Sequence, residues 1–190
     1  MIRHSLVAAL LVLAPLHALV GPRTPHTARL VTAHPCEPGL YRQPDGGPFA
    51  AILFCDDALG SNLGLVCYAG APCNRPPWDV TNRFWQGPKW AADVTAFAWD
   101  PNNTCLYVSS EAVYGEGDVY ALDLPNRVVT VLPLEIKERL RAGYTYSTTL
   151  TGIDEGKGLL HYTVEYFDQA AGSTVHEAVS IPLPACGGAG

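Results

Sequence analysis

Charged side chains are scarce in this chain, at 16% of 190 residues against 48% hydrophobic. A disordered segment or a long solvated helix needs a much higher charge density, so both are excluded. Basic residues are scarcer still, 12 Lys and Arg against 18 Asp and Glu, for a net charge of −6. A nucleic-acid binder would cluster Lys and Arg, so nucleic acid is excluded as a partner. Catalytic signatures are missing as well. No Gly-x-Ser-x-Gly elbow, His-Glu-x-x-His zinc helix or phosphate-cradling glycine loop occurs. The cysteines lack the paired short spacings of a zinc site, and no Asp-x-Asp-x-Asp-Gly run supplies the oxygens calcium needs. No catalytic residue, metal or cofactor is therefore expected. Past the N-terminal segment the histidines are His26, His34, His161 and His176. His161 lies in a strand pattern and His176 opens another, where packing or solvation is the ordinary role. Asp56-Asp57 follows a strand directly, where acidic residues make turns.

What is present begins with an export signal. Arg3 and His4 precede an uninterrupted apolar run from Leu6 to Leu13, broken by Pro15 and His17, with small Ala14 and Ala18 beside the break. A spanning helix wants roughly 20 apolar residues, so residues 1–20 read as a signal peptide rather than an anchor. Residues 21–190 then form a single domain, secreted or periplasmic, with no membrane span after cleavage.

Six cysteines, Cys36, Cys55, Cys67, Cys73, Cys105 and Cys186, suit disulfides in an exported chain. Cys67 and Cys73 are close enough to bridge a loop, while Cys55 and Cys67 face each other across an expected hairpin. Cys36 and Cys186 would clasp the two ends. Cys105, inside an apolar strand, is either bridged or a small buried hydrophobe.

Short apolar runs dominate the rest. The segments 49–55, 64–68, 105–109, 119–124, 128–132, 159–166 and 175–181 are rich in Val, Tyr, Leu and Phe between Gly, Asp, Asn or Pro, and predict strands. One helix is predicted over 134–142, with Ile136 and Leu140 spaced by four, Pro133 before it and Gly143 after it. It should link two sheets and carry no function. Turns at Asp45, Asn102 and Glu155 recur 57 and 53 residues apart. Multistranded repeats of about 40–50 residues are the signature of propeller blades. Leu106 and Val108 share one face of their strand, Cys105 and Tyr107 the other, and neither face is polar. Such a sheet must be covered on both sides.

Residues 97–132 resemble the β-propeller repeat of the TolB-like and WD-type families. The resemblance is carried by Trp99, Pro101, Leu106, Val108, Ser110, Asp118, Val119, Tyr120, Asp123 and Leu124. Asp100 stands where the repeat usually has Ser, and Asn102-Asn103 where it has Asp-Gly. The segments 146–183 and 44–72 match more loosely. The resemblance implies an all-β fold, a propeller-like stack of three to four antiparallel blades with one short helix, acting as a binding platform. A β-sandwich built from the same hairpins is the alternative.

The remaining text of note is 75–90. It holds Trp78, Trp85 and Trp90 with Arg75, Arg83 and Lys89, a basic and aromatic excess on an acidic chain. Trp and Arg on a loop suit recognition, so Arg75, Trp78, Arg83, Trp85 and Trp90 are the candidate ligand-binding residues. Rings folded back over a sheet edge are the structural alternative. Asn102-Asn103-Thr104 matches a glycan acceptor pattern, and also the needs of a tight turn. The function expected is an exported, non-enzymatic module that binds a protein or peptide. A carbohydrate-binding module using the tryptophans is the second reading, with a glycan as its partner. A hydrolase pairing Asp57 with Glu165 is the third.

Overall fold

The computed structural model describes residues 26–27, 29–33, 35–56, 60–67, 78–79, 92–112, 117–133, 135, 140 and 145–186. Thirteen strands occur there: β1 His26–Thr27, β2 Leu30–Thr32, β3 Gly39–Arg42, β4 Phe49–Asp56, β5 Gly60–Cys67, β6 Trp78–Asp79 and β7 Ala92–Trp99. They continue with β8 Cys105–Ala112, β9 Val119–Asp123, β10 Val128–Val131, β11 Tyr146–Asp154, β12 Leu159–Asp168 and β13 Ser173–Pro182. All seven predicted strands are present. No α-helix occurs among the described residues. The helix predicted over 134–142 falls outside them except for Glu135, in a turn, and Leu140, in a bend.

The strands form two sheets. The first, in order β1-β3-β4-β5-β6, is antiparallel from β3 onward, with β1 added parallel to β3. The second has eight strands and runs as a half-barrel. Its centre is the meander β7-β8-β9-β10, extended by β2 beyond β7. A third meander, β11-β12-β13, after that of the first sheet and the central one, joins the centre through one register pair, Ser147 opposite Glu111. The segments after Pro101 and Ile153 thus belong to one hydrogen-bonded sheet, and the segment after Pro44 to another.

The alternation of side chains in the central meander explains the packing. Phe97, Trp99, Leu106, Val108, Tyr120 and Leu122 point to one face, against Ala51, Leu53, Leu63 and Leu65 of the first sheet. Ala96, Ala98, Cys105, Tyr107, Val119 and Ala121 point to the other, against Tyr146, Leu150, Leu160, Tyr162 and Val164 of the third meander. A strand covered on both faces has no use for a polar side, as the sequence of 105–108 anticipates.

The sheet forks along β8. Its edge away from β7 pairs with β9 over Cys105–Ser109 and then with β11 at Glu111. Hydroxyls fill the wedge. Thr95 Oγ1 lies 2.7 Å from Ser109 Oγ and donates to Thr148 O at 2.5 Å, while the Leu150 N–H donates to Ser109 Oγ at 2.9 Å. Thr148 Oγ1 is shared between Asp118 O (3.0 Å) and Ser110 O (3.3 Å), and Tyr146 OH donates to Asp118 Oδ1 (3.0 Å). These groups are buried and mutually satisfied, which is the condition under which a polar network is tolerated in a core.

Gly117 sits at the point of the fork, donating to Tyr146 O at 2.8 Å. A Cβ there would lie 2.3 Å from Ser110 O and 2.9 Å from both Ser147 Cα and Tyr146 O. All three are backbone atoms, so the strands themselves would have to part. Gly117→Ala is expected to lower stability by about 2–3 kcal/mol, the upper part of the range for overpacking. Urea denaturation measures this, and a loss within error of zero would show that the fork can open freely.

Candidate functional site

Two disulfides are formed among the described cysteines. Cys36 bonds Cys55 and Cys105 bonds Cys186, with Cα–Cα distances of 5.8 and 5.4 Å. The Cys55–Cys67 alternative is corrected, because in the β4–β5 ladder Cys55 stands opposite Ser61 and Cys67 opposite Phe49, at the other end of the hairpin. The clasp between Cys36 and Cys186 is corrected too. Cys186 follows β13 beneath the central meander and meets Cys105 there, so Cys105 is a bridged residue and not a lone hydrophobe. Two disulfides are consistent with an extracellular location, and no helix among the described residues is long and apolar enough to cross a membrane. The side chain of Cys67 and all of Cys73 lie outside the described residues.

Most of the predicted ligand-binding residues also lie outside them: Arg75, Arg83, Trp85 and Trp90. Trp78 is described as backbone alone. It pairs with Leu65 in the short strand β6, which is the last strand of the first sheet among the described residues.

At the turn between β7 and β8, the two asparagines divide their roles. Asn103 takes φ 58°, the left-handed conformation a tight turn demands, and its Nδ2 donates to Pro44 O at 3.0 Å. Gln43 reciprocates, with Nε2 on Asn103 O at 2.8 Å. Asp100 organises the turn, its Oδ1 accepting from the Cys105 N–H (2.7 Å) and its Oδ2 from the Asn102 N–H (3.1 Å) and Thr104 Oγ1 (3.2 Å). A carboxylate can accept all three bonds, more than a serine hydroxyl could. The Asn102 side chain is exposed.

A concave feature of the described surface lies where the third meander leaves the fork. It is an open cleft of about 220 Å³ lined by Glu111, Tyr146, Ser147, Glu165, Phe167 and Thr174 among others. Register explains its chemistry. Glu111, Ser147, Glu165 and His176 stand in one row across β8, β11, β12 and β13. Residues directly opposite in a ladder share a face, so the row presents two carboxylates, a hydroxyl and an imidazole on the outer surface. His176 Nδ1 lies 3.2 Å from Glu165 Oε2. A nucleophilic triad needs its histidine between hydroxyl and carboxylate, and here Glu165 stands between Ser147 and His176. Glu165 is thus engaged with His176, and its proposed partner Asp57 lies outside the described residues. His161 Nδ1 meets Ser180 Oγ at 2.7 Å on the same outer face. Among the described residues no group of three His, Cys, Asp or Glu converges as a metal site. The row across the strands was missed in the sequence, since Glu111 and Ser147 belong to segments whose pairing is not local.

Inside the half-barrel two tyrosines are held in their neutral form. Burial raises the Tyr107 pKa above the ordinary 10, with the Asp100 charge adding to it, and burial followed by Glu135 and Glu177 raises that of Tyr162. Tyr107 OH also donates to Pro184 O. Above pH 10 the unfolded chain loses these protons while the folded one keeps them, so stability falls as pH rises. Alkaline titration followed at the tyrosinate absorbance is expected to show late, cooperative steps coinciding with loss of the near-ultraviolet dichroism. Complete ionisation near pH 10 with the fold intact would contradict this.

Compared with known proteins, the chain matches no family model, and neither a curated protein nor a solved structure is significantly similar to it.

Proposed function

We propose that this chain is an exported, disulfide-stapled binding module of propeller type that docks a protein or peptide and performs no chemistry of its own. In this reading β3–β6, β7–β10 and β11–β13 are blade units that share their flanks. The supporting pattern is meander against meander, with one apolar cluster on each face of the central unit. The observation that carries the binding role is the cleft at the fork. Its groups stand on paired strands rather than on loops, and a pre-ordered site loses little entropy on binding. Two carboxylates beside Phe167, which is 53% exposed, suit a Lys- or Arg-bearing peptide, through charge and through the ring.

Peptide display selected against the immobilised protein tests this. Binders should converge on basic sequences, and their Kd should weaken roughly tenfold, about 1.4 kcal/mol, in the Glu111→Gln, Glu165→Gln double variant. Failure to converge, or binders indifferent to both substitutions, overturns the peptide reading. The carbohydrate reading rests on the three tryptophans that the sequence gathers within 75–90, one of them, Trp78, in strand β6. Saturable tryptophan quenching across a glycan panel would support it, and silence across that panel would count against it.

A further inference from the structure

The two sheets treat their outer strands unequally. β1 and β6 have two residues each, β2 has three and β10 has four, whereas β13 has ten. Shortness is a standard protection of an edge from pairing with another chain, and β13 alone among these edges lacks it. It carries no lysine and no bulge, and its register with β12 is unbroken from Ser173 to Pro182. Among the described residues no strand pairs with its other edge.

The direction of its backbone groups follows from one bond. The Leu183 N–H donates to Gly158 O at 2.7 Å, continuing the β12–β13 register by one pair. Odd-numbered residues of β13 therefore face β12. Thr174, His176, Ala178 and Ser180 direct their N–H and C=O groups away from it. These are also the exposed side chains of the strand.

We propose that this edge is the surface on which a second copy of the chain docks, β13 against β13 about a two-fold axis at Ala178. An antiparallel pairing centred there sets Ala178 on its own counterpart, where the small side chain leaves the backbones room to close. Val175 then faces the partner's Ile181, His176 faces the partner's Ser180, and Glu177 faces the partner's Val179. Val179 and Ile181 already lean on the second apolar cluster, so the pairing brings Val175, Val179 and Ile181 of both copies onto one half-buried face, with Glu177 among them. The register centred on Glu177 is worse, since it sets two carboxylates directly opposite, and like charges so placed destabilise a ladder. The two-fold symmetry also closes the assembly, since each copy uses its one long edge.

The test needs no ligand, so its outcome is separate from that of the peptide selection. Sedimentation velocity of the full protein over a wide concentration range is expected to give twice the chain mass. Ala178→Lys, which sets two ammonium groups on the axis, should give the single-chain mass with unchanged circular dichroism. Amide exchange at Thr174, His176, Ala178 and Ser180 should be slow in the wild type and fast in the variant. A single-chain mass at every concentration overturns the proposal, as does a dimer that survives Ala178→Lys. Fast exchange of those four amides within a dimer would place the interface elsewhere and overturn it equally.

Discussion

Replacing Cys105 and Cys186 together by alanine is expected to lower stability by about 4.5 kcal/mol, against about 3 kcal/mol for the Cys36, Cys55 pair. The difference comes from loop length. The first bridge closes 81 residues and the second 19, and the entropy withheld from the unfolded chain grows with the logarithm of that number. A packing effect acts in the same direction. The Cys105 bridge and the Tyr107 hydroxyl fasten the tail at Pro184, and Leu183 and Cys186 lie against the second apolar cluster. Freed from Cys105, that tail can leave and open the half-barrel to water. For a domain of this size the melting temperature should fall by about 10–16 °C with the long bridge gone. Calorimetry on the two double variants decides. Equal losses, or a larger loss from the short loop, would show that the tail is held by packing alone.

Trp99→Ala is expected to cost about 3–5 kcal/mol, the range for emptying a large aromatic site. Trp99 is fully buried between the two sheets, among Leu53, Leu63, Phe97 and Leu106 in the first cluster. Nothing flexible lies beside it to fill the space, because its neighbours are strand residues fixed by ladders on both sides. Trp99→Phe should behave differently. The indole Nε1 is buried with no hydrogen-bond partner among the described residues, and an unmet donor costs free energy in the wild type. Removing that donor offsets part of the lost volume, so the loss should stay below about 1.5 kcal/mol. Urea titration of the two variants tests the contrast. A Phe variant as damaged as the Ala variant would mean that the nitrogen is satisfied after all.

The strands legible in the sequence were those with bulky apolar alternation, such as Cys105–Ser109 and Leu159–Tyr166. β7 and β11 escaped notice for a physical reason. β7 carries Ala96 and Ala98 where it meets the third meander, and Thr95 supplies a hydroxyl to the fork. β11 is built on Thr148 and Thr149 around Leu150. Alanine carries a weak strand signal, and the threonines of β11, though β-branched, lack the bulky apolar alternation by which the other strands were read. The turn at Asp100–Thr104 was legible, because left-handed backbone at Asn103 is a local demand. The disulfides were legible as a class but not as pairs. Which sulfur meets which depends on ladder register and on where the tail returns, and both are set by distant segments.

By itself the sequence determined that this chain is built from strands, that its central strands are apolar on both faces, and that its cysteines suit bridges. These are properties of neighbouring residues, expressed through alternation, turn chemistry and composition. The tertiary structure alone decided that the strands join through a fork at Gly117, that Glu111, Ser147, Glu165 and His176 fall in one row, and that a ten-residue strand ends the second sheet with no partner on its outer side among the described residues. Those outcomes arise from pairings between segments far apart in the chain, where register and shape complementarity, and not local preference, choose among the arrangements.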